Sequence, residues 1–288
     1  MNAGTVLRSS PSCAVAFGGG GARGLAHIHA VEALDEMGIR PVAIAGSSIG
    51  AIIGAGMAAG MSGRDIHDYA RSVLGSARNV AGRMWRASGG TLTDMMRGGL
   101  QLGQFDIERI LGTFLPEAIP QYFEDLRIPL KVTATDYFGH ELVVFSEGEL
   151  HSALAASAAI PAIFRPVERD GRVLLDGGIN NPVPFDLLHG MAEIVIAVDV
   201  VGGPVANGRR RPNAIDLMLG ATQLMMQSIT AAKLVQTQPD VMLRPPVSRF
   251  RALDFLRIDA VMAETASIKD ELKRAVESAV EARRNLVG

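Results

Sequence analysis

Twice in its first sixty residues the chain runs from a short apolar strand into a glycine turn and on into a helix. Residues 12–17 (SCAVAF) end in Gly18-Gly19-Gly20-Gly21. Residues 23–37 then carry Leu25, His29, Val31, Leu34 and Met37 at helical spacing around Glu32, Asp35 and Glu36. Gly38 stands where a helix C-cap glycine belongs. Residues 42–45 (VAIA) form the second strand signal and end in Gly46-Ser47-Ser48-Ile49-Gly50, and residues 49–59 continue as a small-residue helix. Strands separated by helices cannot pair as hairpins. The pattern predicts an α/β fold, a parallel sheet with helices on its faces.

Later segments extend this reading. Residues 130–135 and 142–145 read as strands joined by a turn at 136–140, and 152–160 as an alanine-rich helix stopped by Pro161. Residues 173–175 form a short strand ending at Asp176-Gly177-Gly178, and 194–200 (IVIAVDV) a buried one. Residues 202–213 are the clearest linker. A helix over 214–235, a strand at 241–243 and one surface helix over 260–286 complete the chain. Residues 61–103, with the lone tryptophan Trp85, read as short helices and loops covering the sheet.

Composition excludes several classes. With 48 % apolar and 20 % charged residues the chain is globular, not disordered. A net charge of −2 and the lack of a basic stripe argue against nucleic acid, and Arg209-Arg210-Arg211 reads as a solvated loop. A single cysteine, Cys13, rules out an intrachain disulfide and fits a reducing, cytoplasmic setting. Residues 1–17 lack the apolar core of a signal peptide. The six histidines are scattered, and His27 and His29 face different sides of a helix, so no metal is expected. No charge falls between Arg40 and Arg64, close to a membrane-spanning length, but Ser47, Ser48 and six glycines there favour a buried strand and helix.

A G-x-S-x-G between strand and helix is the context of a nucleophile elbow. Ser48 has glycine two residues away on both sides (Gly46, Gly50), whereas Ser47 has Ala45 and Ile49. Ser48 is therefore the candidate nucleophile. The loop GGGGARG contains G-x-G-x-x-G (Gly19, Gly21, Gly24), but the second strand ends without the acid of a dinucleotide site. Its exposed N–H groups suit an oxyanion hole instead, with Ile49 N–H as a further donor and Arg23 either bracing the loop or adding positive potential. For the base, a triad of Ser48, His189 and Asp176 and a direct Ser48–Asp176 pair both remain open.

GGGGARG, GSSIG and DGG, in this order and context, resemble the motifs of the patatin-like phospholipases across residues 13 to 205, with Asn181-Pro182 matching the N-P that follows DGG. The resemblance implies a three-layer α/β/α sandwich with a mainly parallel sheet, its catalytic core over 13–205 and a helical cover over 206–288 packed on the same domain. It implies a Ser48–Asp176 dyad, an oxyanion hole at Gly19, Gly20, Gly21 and Ile49, and support from Arg23, Gly46, Gly50, Gly177, Gly178 and Asn181. The implied activity is hydrolysis of a lipid ester through an acyl-enzyme, with no cofactor. The rival is a non-catalytic regulatory or lipid-binding protein of the same fold. Peripheral contact with a membrane surface is a further expectation, carried by Met84, Trp85, Met95 and Met96 among arginines 64, 71, 78, 83, 86 and 97.

Overall fold

The computed structural model describes residues 11–87, 105–206 and 212–286. Met95, Met96, Arg97 and the run Arg209–Arg211 lie outside them. Strands β1 (Cys13–Phe17), β2 (Ala43–Ser47), β3 (Leu130–Asp136), β4 (Glu141–Phe145), β5 (Val167–Arg169), β6 (Arg172–Asp176), β7 (Ile194–Val198) and β8 (Val241–Leu243) form one eight-stranded sheet. β3, β2, β1, β7 and β8 run parallel in that order, and β4, β5 and β6 add antiparallel pairs at the β3 end. The helices are α1 (His27–Glu36), α2 (Ile49–Ala58), α3 (Gly63–Leu74), α4 (Ala77–Ala87), α5 (Ile107–Phe114), α6 (Leu150–Ser157), α7 (Ala214–Gln236), α8 (Ile258–Thr265) and α9 (Ile268–Leu286).

Strand alternation divides the core into two layers. From β1, Cys13, Val15 and Phe17 join the larger cluster with residues of α1, α2, α6, α8 and α9. Ala14 and Ala16 face the other side, where Val183, Phe185, Leu188 and Met226 complete a thinner layer. The outcome is the expected α/β/α sandwich. No helix among the described residues is long and apolar enough to cross a membrane, and the uncharged segment after Arg40 divides into β2 and α2.

Two elements differ from expectation. β5 was not expected. It forms a hairpin with β6 through Asp170-Gly171, both at positive φ (53° and 73°), the turn chemistry that Asp-Gly supplies. The expected single helix over 260–286 is α8 followed by α9, bent at residues 266–267. Ile258, Val261, Met262 and Thr265 are buried on α8, and the buried stripe Ile268, Leu272, Val276 continues the core from α9.

The C-terminal third belongs to this core: β8 pairs with β7, and α9 packs on α1. Leu272 is fully buried, and Leu272→Ala should cost about 2–5 kcal/mol in urea unfolding. Lys273→Ala, which removes a surface pairing with Glu36, should shift the transition far less than Leu272→Ala. An unchanged main transition for Leu272→Ala would show that α9 is not part of the folding unit.

Candidate active site

The strand register brings two distant residues together. Val132 and Thr133 pair with both β2 and β4, and the stretch from Ala134 to Asp136 pairs with both β4 and β6. β2 and β6 therefore share one edge of β3 and abut end to end. Ser47 lies opposite Thr133 and Asp176 opposite Ala134, so the residue after β2 meets the last residue of β6.

Ser48 sits at φ 54°, ψ −126° between β2 and α2, a conformation L-residues seldom adopt. The flanking glycines have distinct steric reasons. A Cβ on Gly46 would overlap the backbone of Ala51, and one on Gly50 would overlap the Phe17 carbonyl. Ser48 Oγ donates to Asp176 Oδ2 at 2.6 Å, and Ser48 N–H donates to Ser157 Oγ at 2.8 Å. Ser47 points elsewhere, and its buried hydroxyl has no partner.

Asp176 Oδ1 accepts from Gly178 N–H at 2.7 Å. Burial raises the carboxyl pKa to about 6, while the hydrogen bonds from Ser48 and Gly178 pull it partway back. Gly177 is required because a Cβ there would overlap the Thr133 carbonyl. Asn181 anchors the turn after Asp176: its side chain bonds Asp186, and Lys233 Nζ donates to Asn181 Oδ1 and to Asp186. His189 is directed away, with its Nε2 bonded to Thr237 Oγ1 at 2.9 Å.

The glycine loop lies beside the serine, such that a Cβ on Gly19 would stand 3.4 Å from Ser48 Cβ. Gly19 N–H donates to Pro182 O at 2.8 Å, and Ala22 N–H to Ala252 O at 2.7 Å. Gly19 is thus not the free donor that was expected. Among the described residues, Gly20 N–H, Gly21 N–H and Ile49 N–H have no acceptor. Arg23 is a brace. It is 3 % exposed, donates from Nε to Phe250 O and from Nη1 to Val201 O, both at 2.7 Å, and reaches Gln223 with Nη2. Burial draws the guanidinium pKa down to about 10. His27, fully buried with its pKa lowered to about 4 by that burial, donates from Nε2 to Gly18 O at 2.8 Å.

From Ser48 an apolar cavity of about 350 Å³ opens between α2, α3, α4 and α5. Ile52, Ile66, Val73, Leu111 and Phe164 are among its walls, and none of its described lining residues is charged. The expected cover of the sheet is therefore, over residues 63–87, two helices forming cavity wall. A second space of about 60 Å³, bordered by Asp176, Pro161 and Met226, also reaches Ser48.

Residues 15–189, which contain the glycine loop, the elbow and Asp176, match the sequence profile of the patatin-like phospholipases. The chain belongs to the patatin-like phospholipase family. An uncharacterized NTE family protein of Mycobacterium tuberculosis is 37 % identical over 203 residues, covering 70 % of this chain and 52 % of that protein. Patatin-like phospholipase domain-containing protein 7 of Mus musculus is 29 % identical over 278 residues, 86 % of this chain and 20 % of that protein. The chain thus spans about half the length of its mycobacterial relative, and less of the mouse one. VipD from Legionella pneumophila, a solved structure, aligns with a TM-score of 0.46 at 15 % identity, over 91 % of this chain and 67 % of that one.

The buried Asp176 carboxyl carries a stability signature. Asp176 titrates at about 6 folded against 3.8 unperturbed, so ionising it opposes folding as pH rises from about 4 through 6. The difference corresponds to about 3 kcal/mol at pH 8. Asp176→Asn keeps the acceptor for Gly178 N–H without the charge. It should melt above wild type at pH 8, with the gap narrowing at pH 5. A gap equal at both pH values in differential scanning calorimetry would refute the raised pKa.

Proposed function

We propose that the chain is a serine acyl hydrolase of lipid esters, with Ser48 as nucleophile and Asp176 as its base. The observation that carries this is the 2.6 Å Ser48–Asp176 hydrogen bond at the end of an uncharged apolar cavity. Asp176 Oδ2 accepts the Ser48 proton as Oγ attacks the ester carbonyl carbon. The tetrahedral oxyanion is held by Gly20 N–H, Gly21 N–H and Ile49 N–H, at the N-terminus of α2. Collapse expels the alcohol, which takes the proton from Asp176 and leaves the acyl group on Ser48. Water, deprotonated by Asp176, then releases the fatty acid and restores Ser48. A base with pKa about 6 suits this role better than an ordinary aspartate.

The cavity is read as the site of the acyl chain, which needs only apolar contact. Phospholipid, lysophospholipid and acylglycerol esters all fit this class. A peripheral encounter with a lipid surface in the cytoplasm would run through Phe105, which lines the cavity and is 54 % exposed, and Trp85 of α4, 58 % exposed. Liposome sedimentation unchanged by Trp85→Ala would retire that route.

Hydrolysis of a lipid-ester panel, read by mass spectrometry, tests the reading. Ser48→Ala and Asp176→Asn should each lose at least about 10³-fold in kcat/KM, while Ser47→Ala and His189→Ala stay within about threefold. kcat/KM should rise with pH to a plateau with its midpoint near 6, the pKa of Asp176. A fluorophosphonate should modify Ser48. No adduct on wild type would favour the non-catalytic lipid binder.

A further inference from the structure

We propose that Ser157 is a positioning residue for Ser48: its hydroxyl holds the Ser48 N–H, and the adjoining Ala159 carbonyl holds Asp176, so one segment sets the spacing of the pair. The role rests on the acyl-hydrolase reading, while the contact does not. Ser157 is fully buried, and its Oγ lies 2.8 Å from Ser48 N. Two residues on, Ala159 O accepts Asp176 N–H at 3.0 Å. Thr135 Oγ1 donates to the Asp176 carbonyl at 3.0 Å, which pins the carboxylate side of the pair further. The serine side has only Ser157 as side-chain anchor for its backbone N–H. That N–H belongs to a residue held at positive φ, where a lost restraint lets the backbone relax.

The commonplace role of a helix serine is a bond to the carbonyl four residues back. In this protein Thr222, Ser228 and Thr265 do that, bonding Met218 O, Leu224 O and Val261 O. Ser157 makes no such bond among the described residues. Its neighbours Ala153, Ala155 and Ala156 are buried alanines, so alanine at 157 would suit both packing and helix propensity. The hydroxyl is spent on Ser48 instead.

Loosening Ser48 weakens its hydrogen bond to the Asp176 carboxylate, and that bond lowers the Asp176 pKa. The causes of the Asp176 shift are burial and the hydrogen bonds from Ser48 and Gly178, with no charged side chain among them in the described residues, so a change in the Ser48 bond is read against those other two. The test is a carboxyl ¹³C NMR titration of Asp176, assigned with Asp176→Asn, together with turnover. Ser48→Ala sets the upward shift for a lost bond. Ser157→Ala should move the titration upward in the same direction and lower kcat about 10–100-fold with KM within about twofold, the scale of a misplaced reacting group. Ser157→Thr, which keeps the hydroxyl, should leave the titration near wild type. An unmoved titration in folded Ser157→Ala overturns the proposal, as does Ser157→Thr shifting it as far as alanine. The titration needs no substrate, so failure of wild type to take a fluorophosphonate on Ser48 would sink the hydrolase reading separately.

Discussion

The site depends on one constraint of register: β2 and β6 share an edge of β3 and stop against each other. β2 runs parallel to β3 and β6 antiparallel, so their carboxyl ends converge at neighbouring β3 residues. A slip of one residue in either pairing would turn the terminal side chain to the opposite face. The glycines around the junction follow from the same crowding. Gly46, Gly50 and Gly177 are small because Ala51, the Phe17 carbonyl and the Thr133 carbonyl occupy the space a Cβ would need. Ser48 is held at its unusual φ because the elements on both sides leave it no other path.

That junction is buried, and among the described residues no cation pairs with its carboxylate. Asp176 has two hydrogen bonds and an apolar surround, a balance that raises its pKa without keeping it neutral at pH 7. The nearby cations serve elsewhere. Arg23 donates to carbonyls of the glycine loop's supports, and Lys233 closes on Asn181 and Asp186. Either one beside Asp176 would lower the carboxyl pKa and weaken it as a base. Their placement keeps the cations that hold the loops away from the Asp176 carboxyl.

Much of this was legible from residue spacing. Glycines two residues away on both sides distinguished Ser48 from Ser47, and the apolar runs before GGGGARG and GSSIG marked β1 and β2. What escaped were features set by tertiary contact. The engagement of Gly19 N–H with Pro182 depends on a loop more than 160 residues away, and nothing in four successive glycines tells which N–H is used. Ser157 is one hydroxyl in a run of alanines, a signal visible only once its helix is known to end beneath the elbow. β5 could have been found: Asp170-Gly171 ahead of the apolar run at residues 173–175 is a hairpin signal that Glu168, Arg169 and Arg172 obscured.

The three motifs also do not make the site by themselves. Gly20 and Gly21 keep free N–H groups because the loop is tied down on either side of them, by Gly19 to Pro182 and by Ala22 to Ala252. Gly21 takes φ 60° at the point where a Cβ would overlap the Ala252 carbonyl, so residue 252 shapes the turn that frees the donors. Arg23 fastens the same loop to Phe250 and to α7 through Gln223, and Met226 of α7 borders the small space beside Asp176. Pro182 apart, these contacts come from residues beyond the stretch that matches the family profile. A chain ending at residue 205 would carry Ser48, Asp176 and the glycines, yet its loop would lack three contacts that fasten it, those to Ala252, Phe250 and Gln223. The C-terminal third is accordingly part of the site's geometry as well as part of the sheet.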